Sequence, residues 1–303
     1  MIDIAMMLGG LVLLLLGGGW LVTGAVGLAL RWGLSPLVIG VTLVGMGTSL
    51  PELLTSLRAA QQGAAGLALG NVVGSNTANI LLILGLSALL AAVPFPRATM
   101  RSDGWPLLAI SAAGALWIGL AGGLDRLSGA VFLAVFALWL WQQIRSGGVE
   151  MVVGEAPAPL GRGLALAGLG FAGVLLGAEL LVRGAIATAR DFGVSEAVIG
   201  LTIVAVGTSL PELATSVMAV RKGRGDLALG NVLGSNVFNL LGILGVTALV
   251  VPFAAPPRFA ALDLPVMVAT VALMLALAWR GSLGRLAGCA MLAAYGLYLW
   301  QMA

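Results

Sequence analysis

Residues 33–90 align without a gap to residues 193–250 at a constant offset of 160, with 34 identities over 58 positions. GTSLPEL stands at 47–53 and again at 207–213, and LALGNVVGSN at 67–76 returns as LALGNVLGSN at 227–236. Shared hydrophobicity does not reproduce Thr, Ser, Pro, Glu and Asn at matching places, so the chain carries two copies of one unit. Any fold for this chain has to accommodate the same segment twice.

Composition says where those copies reside. Of 303 residues, 60% are hydrophobic and 9% charged, too few charges to clothe a water-facing surface of this size. Ile4 to Leu30 carries no charge over more than the roughly 20 residues that a membrane-spanning helix needs. It lacks a basic leader segment and is followed by equally apolar runs, so it reads as a first span rather than a cleaved signal. Charges, turn residues and apolar length predict ten spans, at 5–29, 35–59, 67–91, 105–121, 127–144, 163–188, 195–219, 227–251, 262–279 and 286–301. The polar stretch RSGGVEMVVGEAPAPLG at 145–161 reads as a surface linker. The expected domains are a first five-helix repeat over 1–145, a linker over 146–161 and a second five-helix repeat over 162–303.

Five spans per unit is an odd number, so the second copy must cross the membrane in the opposite direction to the first. The expected fold is therefore an all-α polytopic membrane protein of ten transmembrane helices. They form two inverted-topology five-helix repeats, with spans 2 and 7 interrupted. The loops after odd-numbered spans hold 10 of the 15 basic residues. That bias places the central linker in the cytoplasm and both termini outside. The net charge of +3 is too small and dispersed for nucleic acid. The single Cys289 and the lack of histidine exclude disulfide frameworks, cysteine clusters and His-based metal or proton sites.

Two acids stand out against this background. Glu52 and Glu212 fall near the centres of spans 2 and 7, where an unpaired carboxylate costs at least about 2.5–3.5 kcal/mol. Pro51 and Pro211 lack the N–H that the carbonyls of Gly47 and Gly207 would otherwise accept from. An interrupted helix is tolerated in hydrocarbon only where its freed carbonyls face protein or a watery cavity. Thr48 and Thr208 lie four residues before the two glutamates and so share their helix faces. In spans 3 and 8, Asn71, Ser75 and Asn79, and likewise Asn231, Ser235 and Asn239, recur every fourth residue as one polar stripe. Such a stripe also suits a plain helix–helix seam, most of all at Asn71 and Asn231. Asn76 and Asn236 add amides on a neighbouring face.

The combined donor set is carboxylate, hydroxyl, amide and main-chain oxygen, which suits hard cations such as Ca²⁺ and Na⁺; Zn²⁺ or Cu²⁺ favours the missing imidazole or thiolate. Glu179 has Gly19 as its repeat partner, stands outside the shared machinery, and is positioned to pair with Arg183 one turn on. Trp139, Trp141, Trp279 and Trp300 lie near helix ends and read as interfacial anchors.

These segments resemble the cation/calcium exchanger superfamily, specifically the prokaryotic sodium/calcium antiporters. The resemblance rests on GVTLVGMGTSLPELLTS at 40–56 with GNVVGSNTANILLILG at 70–85, and on GLTIVAVGTSLPELATS at 200–216 with GNVLGSNVFNLLGILG at 230–245. It implies a multi-pass inner-membrane antiporter, not an enzyme, with no cofactor and with Ca²⁺ and Na⁺ as transported ions. Ion sites would cluster between spans 2, 3, 7 and 8, with spans 1 and 6 sliding across that bundle. By the same resemblance Glu52 and Glu212 would coordinate Ca²⁺, Thr48 and Thr208 would add hydroxyl or backbone oxygens, and Asn79 would be the central amide. Gly45 and Ala205 would offer carbonyls to flanking Na⁺ sites completed by Ser75 and Ser235. Where some members carry an aspartate this chain has Asn239, which still coordinates through its oxygen but bears on stoichiometry and on K⁺ co-transport. The expected partners are small inorganic cations and the bilayer, and the sequence leaves the oligomeric state, a monomer included, open. A proton/calcium exchanger using the same glutamates, and a K⁺-dependent exchanger, are the alternatives. A channel, an intramembrane protease and a scaffold explain less of the duplicated machinery.

Overall fold

The computed structural model describes residues 2–146, 159–192 and 207–302, and these are helical apart from short turns and two short strand pairs. In chain order the helices are α1 (Ile2–Trp32), α2 (Pro36–Thr48), α3 (Leu50–Gln61), α4 (Ala65–Leu90), α5 (Arg97–Ala121) and α6 (Arg126–Ser146). They continue as α7 (Leu160–Asp191), α8 (Leu210–Arg221), α9 (Gly225–Val250), α10 (Phe259–Arg280) and α11 (Arg285–Met302). Among the described residues seven helices are long and apolar enough to cross a membrane, and the bent pair α2–α3 makes an eighth. Most of the expected second copy of that bent span, and most of the expected linker, lie outside the described residues. α11 is long enough, but Arg285, Tyr295, Tyr298 and Gln301 dilute its hydropathy.

α4 and α9 form the centre, with 78% and 89% of their most apolar stretches buried, whereas the corresponding stretches of α1, α5, α6, α7 and α10 are 28–39% buried. The outer helices turn Leu8, Leu120, Leu138 and Leu176 outward, the pattern expected of a lipid-facing surface. Sequence periodicity alone does not reveal which way the outer helices turn, because they are apolar nearly all round.

α1 and α7 lie antiparallel along their whole length on a seam of glycines spaced by seven. Gly10, Gly17 and Gly24 face Gly177, Val174 and Gly163 in reverse order. A Cβ built on Gly10 would lie 2.7 Å from the carbonyl oxygen of Gly177, and one on Gly17 would lie 2.7 Å from the amide of Val174. Only hydrogen at those positions lets the backbones approach, which is how apolar helices associate where no hydrophobic drive exists.

α5 begins eight residues before the expected start, at Arg97 rather than at 105. The polar run that seemed to end the span is accommodated inside it. Asp103 is 4% exposed and accepts from Gln143 Nε2 of α6 at 2.7 Å, with the Ser102 hydroxyl as a second donor. α6 is capped by Asp125, which accepts from the Ser128 amide and hydroxyl at 2.7 and 2.6 Å. Those two donors hold the Asp125 carboxyl below the usual carboxylate range.

Trp139 is a correction to the expected interfacial set. It is 7% exposed and stacks on Phe136, which in turn packs on Phe238 of α9. Three residues apart on one helix, 136 and 139 share the inward face of α6. Trp141, Trp279 and Trp300 are exposed at 55%, 66% and 76%.

Two small antiparallel pairs tie the halves together. β1 (Val93–Pro94) pairs with β4 (Ser282–Leu283), and β2 (Gly123–Leu124) pairs with β3 (Phe253–Ala254). β1 and β3 are repeat equivalents, and so are β2 and β4 once the offset is shortened by one residue. Exchanging the two copies therefore converts one pair into the other.

Candidate functional site

The duplicated GTSLPEL segments meet at the centre of the molecule. In the first copy α2 starts cleanly, with Ser35 Oγ accepting from the Val38 amide and Pro36 in the first turn. It ends at Thr48, Ser49 leaves helical geometry at φ −86° and ψ 10°, and α3 resumes at Leu50 with a bend of 43°. Pro51 sits in the first turn of α3, where its missing N–H costs least. The interruption expected for span 2 is thus a sharp bend at Ser49 rather than a long unwound stretch. In the second copy Ser209 has nearly the same geometry, φ −90° and ψ 6°, before α8 begins at Leu210.

The bend carries each serine across the molecule to the opposite copy's glutamate. Ser49 Oγ donates to Glu212 Oε1 at 2.8 Å, and Ser209 Oγ donates to Glu52 Oε1 at 3.3 Å. Glu52 is 1% exposed and Glu212 0%, and the two carboxylates lie within Coulombic reach of each other. Sequence reasoning did not single out Ser49 and Ser209; their identity in both copies, beside the proline break, was the available signal.

α4 and α9 supply the second layer. Asn71 Nδ2 donates to the Glu52 carbonyl and to Ser56 Oγ at 3.1 and 2.9 Å, and Asn231 Nδ2 donates to the Glu212 carbonyl and to Ser216 Oγ at 3.3 and 2.9 Å. Their amides thus pin the two glutamate backbones in the same way. Ser75 Oγ is 3.3 Å from Ser209 Oγ, and Ser235 Oγ donates to the Gly45 carbonyl at 3.1 Å. Thr48 Oγ1 lies 3.0 Å from the Val44 carbonyl and 3.3 Å from Asn231 Oδ1. Asn76 Nδ2 donates to the Asn236 carbonyl and Asn79 Nδ2 to Asn236 Oδ1, both at 3.0 Å, so the two central helices are cross-linked at their midpoints. Thr208 is half-buried beside this cluster in sequence, and Ala205 lies outside the described residues.

At the same depth both central helices widen to the π pattern, over Asn79–Leu84 in α4 and Phe238–Ile243 in α9. The same pattern occurs at Gly40–Val44 in α2 and in the first turns of α5 and α10, Met100–Gly104 and Phe259–Asp263, so it does not by itself mark the site. The polar accounting is incomplete here. Glu52 Oε2, Glu212 Oε2, Asn79 Oδ1, Asn239 Oδ1 and Asn239 Nδ2 are buried without a hydrogen-bond partner. Buried polar atoms left unpaired cost about 1–3 kcal/mol each, and here the equivalent residues Glu52 and Glu212, and Asn79 and Asn239, each leave an oxygen in that state. Among the described residues no three of His, Cys, Asp and Glu cluster, which leaves two carboxylates supplemented by neutral oxygens. Glu179 takes no part. It pairs with Arg183 at 2.5 Å on the outside of α7, as the i, i+4 spacing predicts.

The buried acid pair, the bent helix and the apolar exterior define a polytopic helical membrane protein with an oxygen-lined site at its centre. Comparison with known proteins agrees. The family model described as sodium/calcium exchanger protein matches residues 2–145 and 162–302. A putative antiporter, CaxA, of Alkalimonas amylolytica is 39% identical over 94% of this chain and 94% of its own length. The sodium/calcium exchanger MaX1 of Methanosarcina acetivorans is 31% identical over 90% of each. A solved structure of the sodium-calcium exchanger NCX_Mj, soaked with 2.5 mM Na⁺ and 0.1 mM Ca²⁺, superposes with a TM-score of 0.90 at 34% identity. It covers 100% of this chain and 99% of that one. The chain belongs to the sodium/calcium exchanger protein family.

Proposed function

We propose that this chain is a secondary antiporter exchanging Ca²⁺ for Na⁺ across a prokaryotic inner membrane by alternating access, with Glu52 and Glu212 as the central cation ligands. The observation that carries the reading is the set of buried, unpartnered oxygens on Glu52, Glu212, Asn79 and Asn239. Two carboxylates balance the charge of one Ca²⁺, and six to eight oxygens complete its shell. The unpartnered amide oxygens of Asn79 and Asn239, with hydroxyl and main-chain oxygens nearby, supply the remainder. Gly45 with Ser235, and Ser75 on the other flank, offer the neutral oxygens suited to Na⁺; Thr48, Thr208 and Ala205 belong to the same ligand set. Occupancy of overlapping sites by one ion or the other makes transport an exchange.

The proposed architecture is ten spans in two inverted five-helix repeats, 1–145 and 162–303, joined by a cytoplasmic linker over 146–161 with both termini outside. The reciprocal strand pairs and reciprocal Ser–Glu bonds support a two-fold relation between the copies. Relatives named as exchangers and antiporters support the coupled reading over a channel.

The deciding experiment is ⁴⁵Ca²⁺ uptake into proteoliposomes preloaded with Na⁺, with pH and voltage clamped and external K⁺ varied. Uptake that requires internal Na⁺ is expected. Uptake that ignores Na⁺ and follows an imposed pH gradient would overturn it in favour of proton coupling at the same glutamates. A requirement for K⁺ would make K⁺ a third transported ion.

A further inference from the structure

α3 and α8 are repeat equivalents, yet their outer faces differ in this structure. On α8, Ala214 is buried and Met218 half-buried, because α1 lies on them; a Cβ on Gly18 would sit 3.1 Å from the Ala214 carbonyl and 3.2 Å from Met218 Cγ. On α3 the matching residues Leu54 and Arg58 are exposed, Leu54 at 56%. Although Phe171 of α7 lies against Gly47 of α2, α1 covers the outer face of α8 and leaves that of α3 bare.

The resting position is fastened by Lys222, at the end of α8. Its Nζ donates to the Gly19 carbonyl at 2.8 Å and to Thr23 Oγ1 at 2.6 Å, both on α1. The repeat offset maps this fastening onto a second, unformed one. Gly19 corresponds to Glu179 and Thr23 to Arg183 on α7, while Met218 corresponds to Arg58 and Lys222 to Gln62 on α3. A Cβ on Gly19 would lie 3.4 Å from Met218 Cε and 3.7 Å from Lys222 Cε. In the exchanged arrangement the Cβ of Glu179 accordingly comes beside the side-chain ends of Arg58 and Gln62. Arg58 has no ion-pair partner among the described residues, and Glu179 has only the exposed Arg183.

We propose that the chain has two alternative latches for the α1–α7 pair: Lys222 on the Gly19 carbonyl and Thr23 in the arrangement seen here, and Glu179 on Arg58 and Gln62 in its counterpart. The duplication explains why Glu179 and Lys222 have no look-alike in the other copy. The first latch carries one charge, on Lys222 of the bundle, and the second carries two, on Glu179 of α7 and Arg58 of α3. The two latches set the balance between the two arrangements, since a contact present in only one state shifts the population toward it. This rests on the alternating-access reading above.

The test uses the full chain in proteoliposomes with Cys289, an exposed free thiol, replaced by Ala. Ala178→Cys and Leu54→Cys are the counterparts of Gly18 and Ala214, which touch here, so they come together only in the exchanged arrangement. Oxidation is expected to form the 54–178 disulfide and to stop Na⁺/Ca²⁺ exchange, with reduction restoring it. Lys222→Met, which keeps the apolar stem, is expected to speed cross-linking about two- to fivefold. Glu179→Arg is expected to slow it by a similar factor, and Glu179→Arg with Arg58→Glu to restore the rate. If exchange runs normally but the 54–178 disulfide never forms, or if the charge-swapped pair fails to recover while expressing normally, the latches are wrong and alternating access stands. If the disulfide forms quantitatively and exchange continues, alternating access itself fails.

Discussion

α3 and α8 open with the same four residues, LPEL, and end in different company. Their inward faces match residue for residue: Glu52 with Glu212 and Ser56 with Ser216, each held by an asparagine from the neighbouring central helix. Their outward faces diverge at Leu54 against Ala214, Arg58 against Met218, and Gln62 against Lys222, and only the second is covered by α1. Duplication thus preserved the face that makes the site and released the face that does not. The lesson is a division of labour within a single helix. In the proposed exchanger the symmetric inward face holds the ion, and the divergent outward face biases where the α1–α7 pair lies.

The strongest way to break that comparison is to remove the symmetric acids one at a time. Glu52→Gln and Glu212→Gln should each lower Ca²⁺ transport about 100-fold or more, a loss of a few kcal/mol, while the folded protein still elutes as a single species by size exclusion. Well-expressed Glu212→Gln that retains normal transport would show that the two copies do not contribute equivalent ligands.

A smaller effect is expected from the α1–α7 seam. Gly17→Leu forces a side chain against the backbone of Gly173 and Val174, and should destabilise the protein by about 1–3 kcal/mol or separate the pair. Thermal unfolding in detergent measures it. Gly9→Leu, with open space around its Cβ, is the control expected to change little.

The smallest effect sharpens the comparison within the site. Ser49 donates to Glu212 at 2.8 Å and Ser209 to Glu52 at 3.3 Å. Ser49→Ala should therefore reduce apparent Ca²⁺ affinity about three- to tenfold, and Ser209→Ala less, as expected for hydrogen bonds to a charged acceptor of unequal length. Equal losses in ⁴⁵Ca²⁺ titrations would mean that the two bonds exchange length as the protein cycles.

Much of this was legible before any coordinate. A gapless repeat containing buried-type acids, prolines and asparagines specifies by itself which residues are duplicated. Hydrocarbon then requires that they face inward, because a charge on the lipid side is too costly. Seven spans among the described residues follow from length and hydropathy alone. The Glu179–Arg183 pair follows from helical spacing.

What only the tertiary structure decided depends on contacts between segments far apart in the chain. Ser49 and Ser209 are unremarkable as letters, and become neighbours of the opposite glutamate only when the bend at each serine brings the copies face to face. Asn236 looked like a residue on a secondary face, yet it receives both Asn76 and Asn79. Trp139 was misplaced because in a uniformly apolar helix periodicity does not distinguish the protein-facing side from the lipid-facing side, and the start of α5 because the partner that lets Asp103 be buried, Gln143, lies on the neighbouring helix. The covering of α8 and the baring of α3 is of the same kind. Two related helices acquire different surroundings because α1 lies along α8 and not along α3, a contact between segments far apart in the chain that neither copy specifies alone.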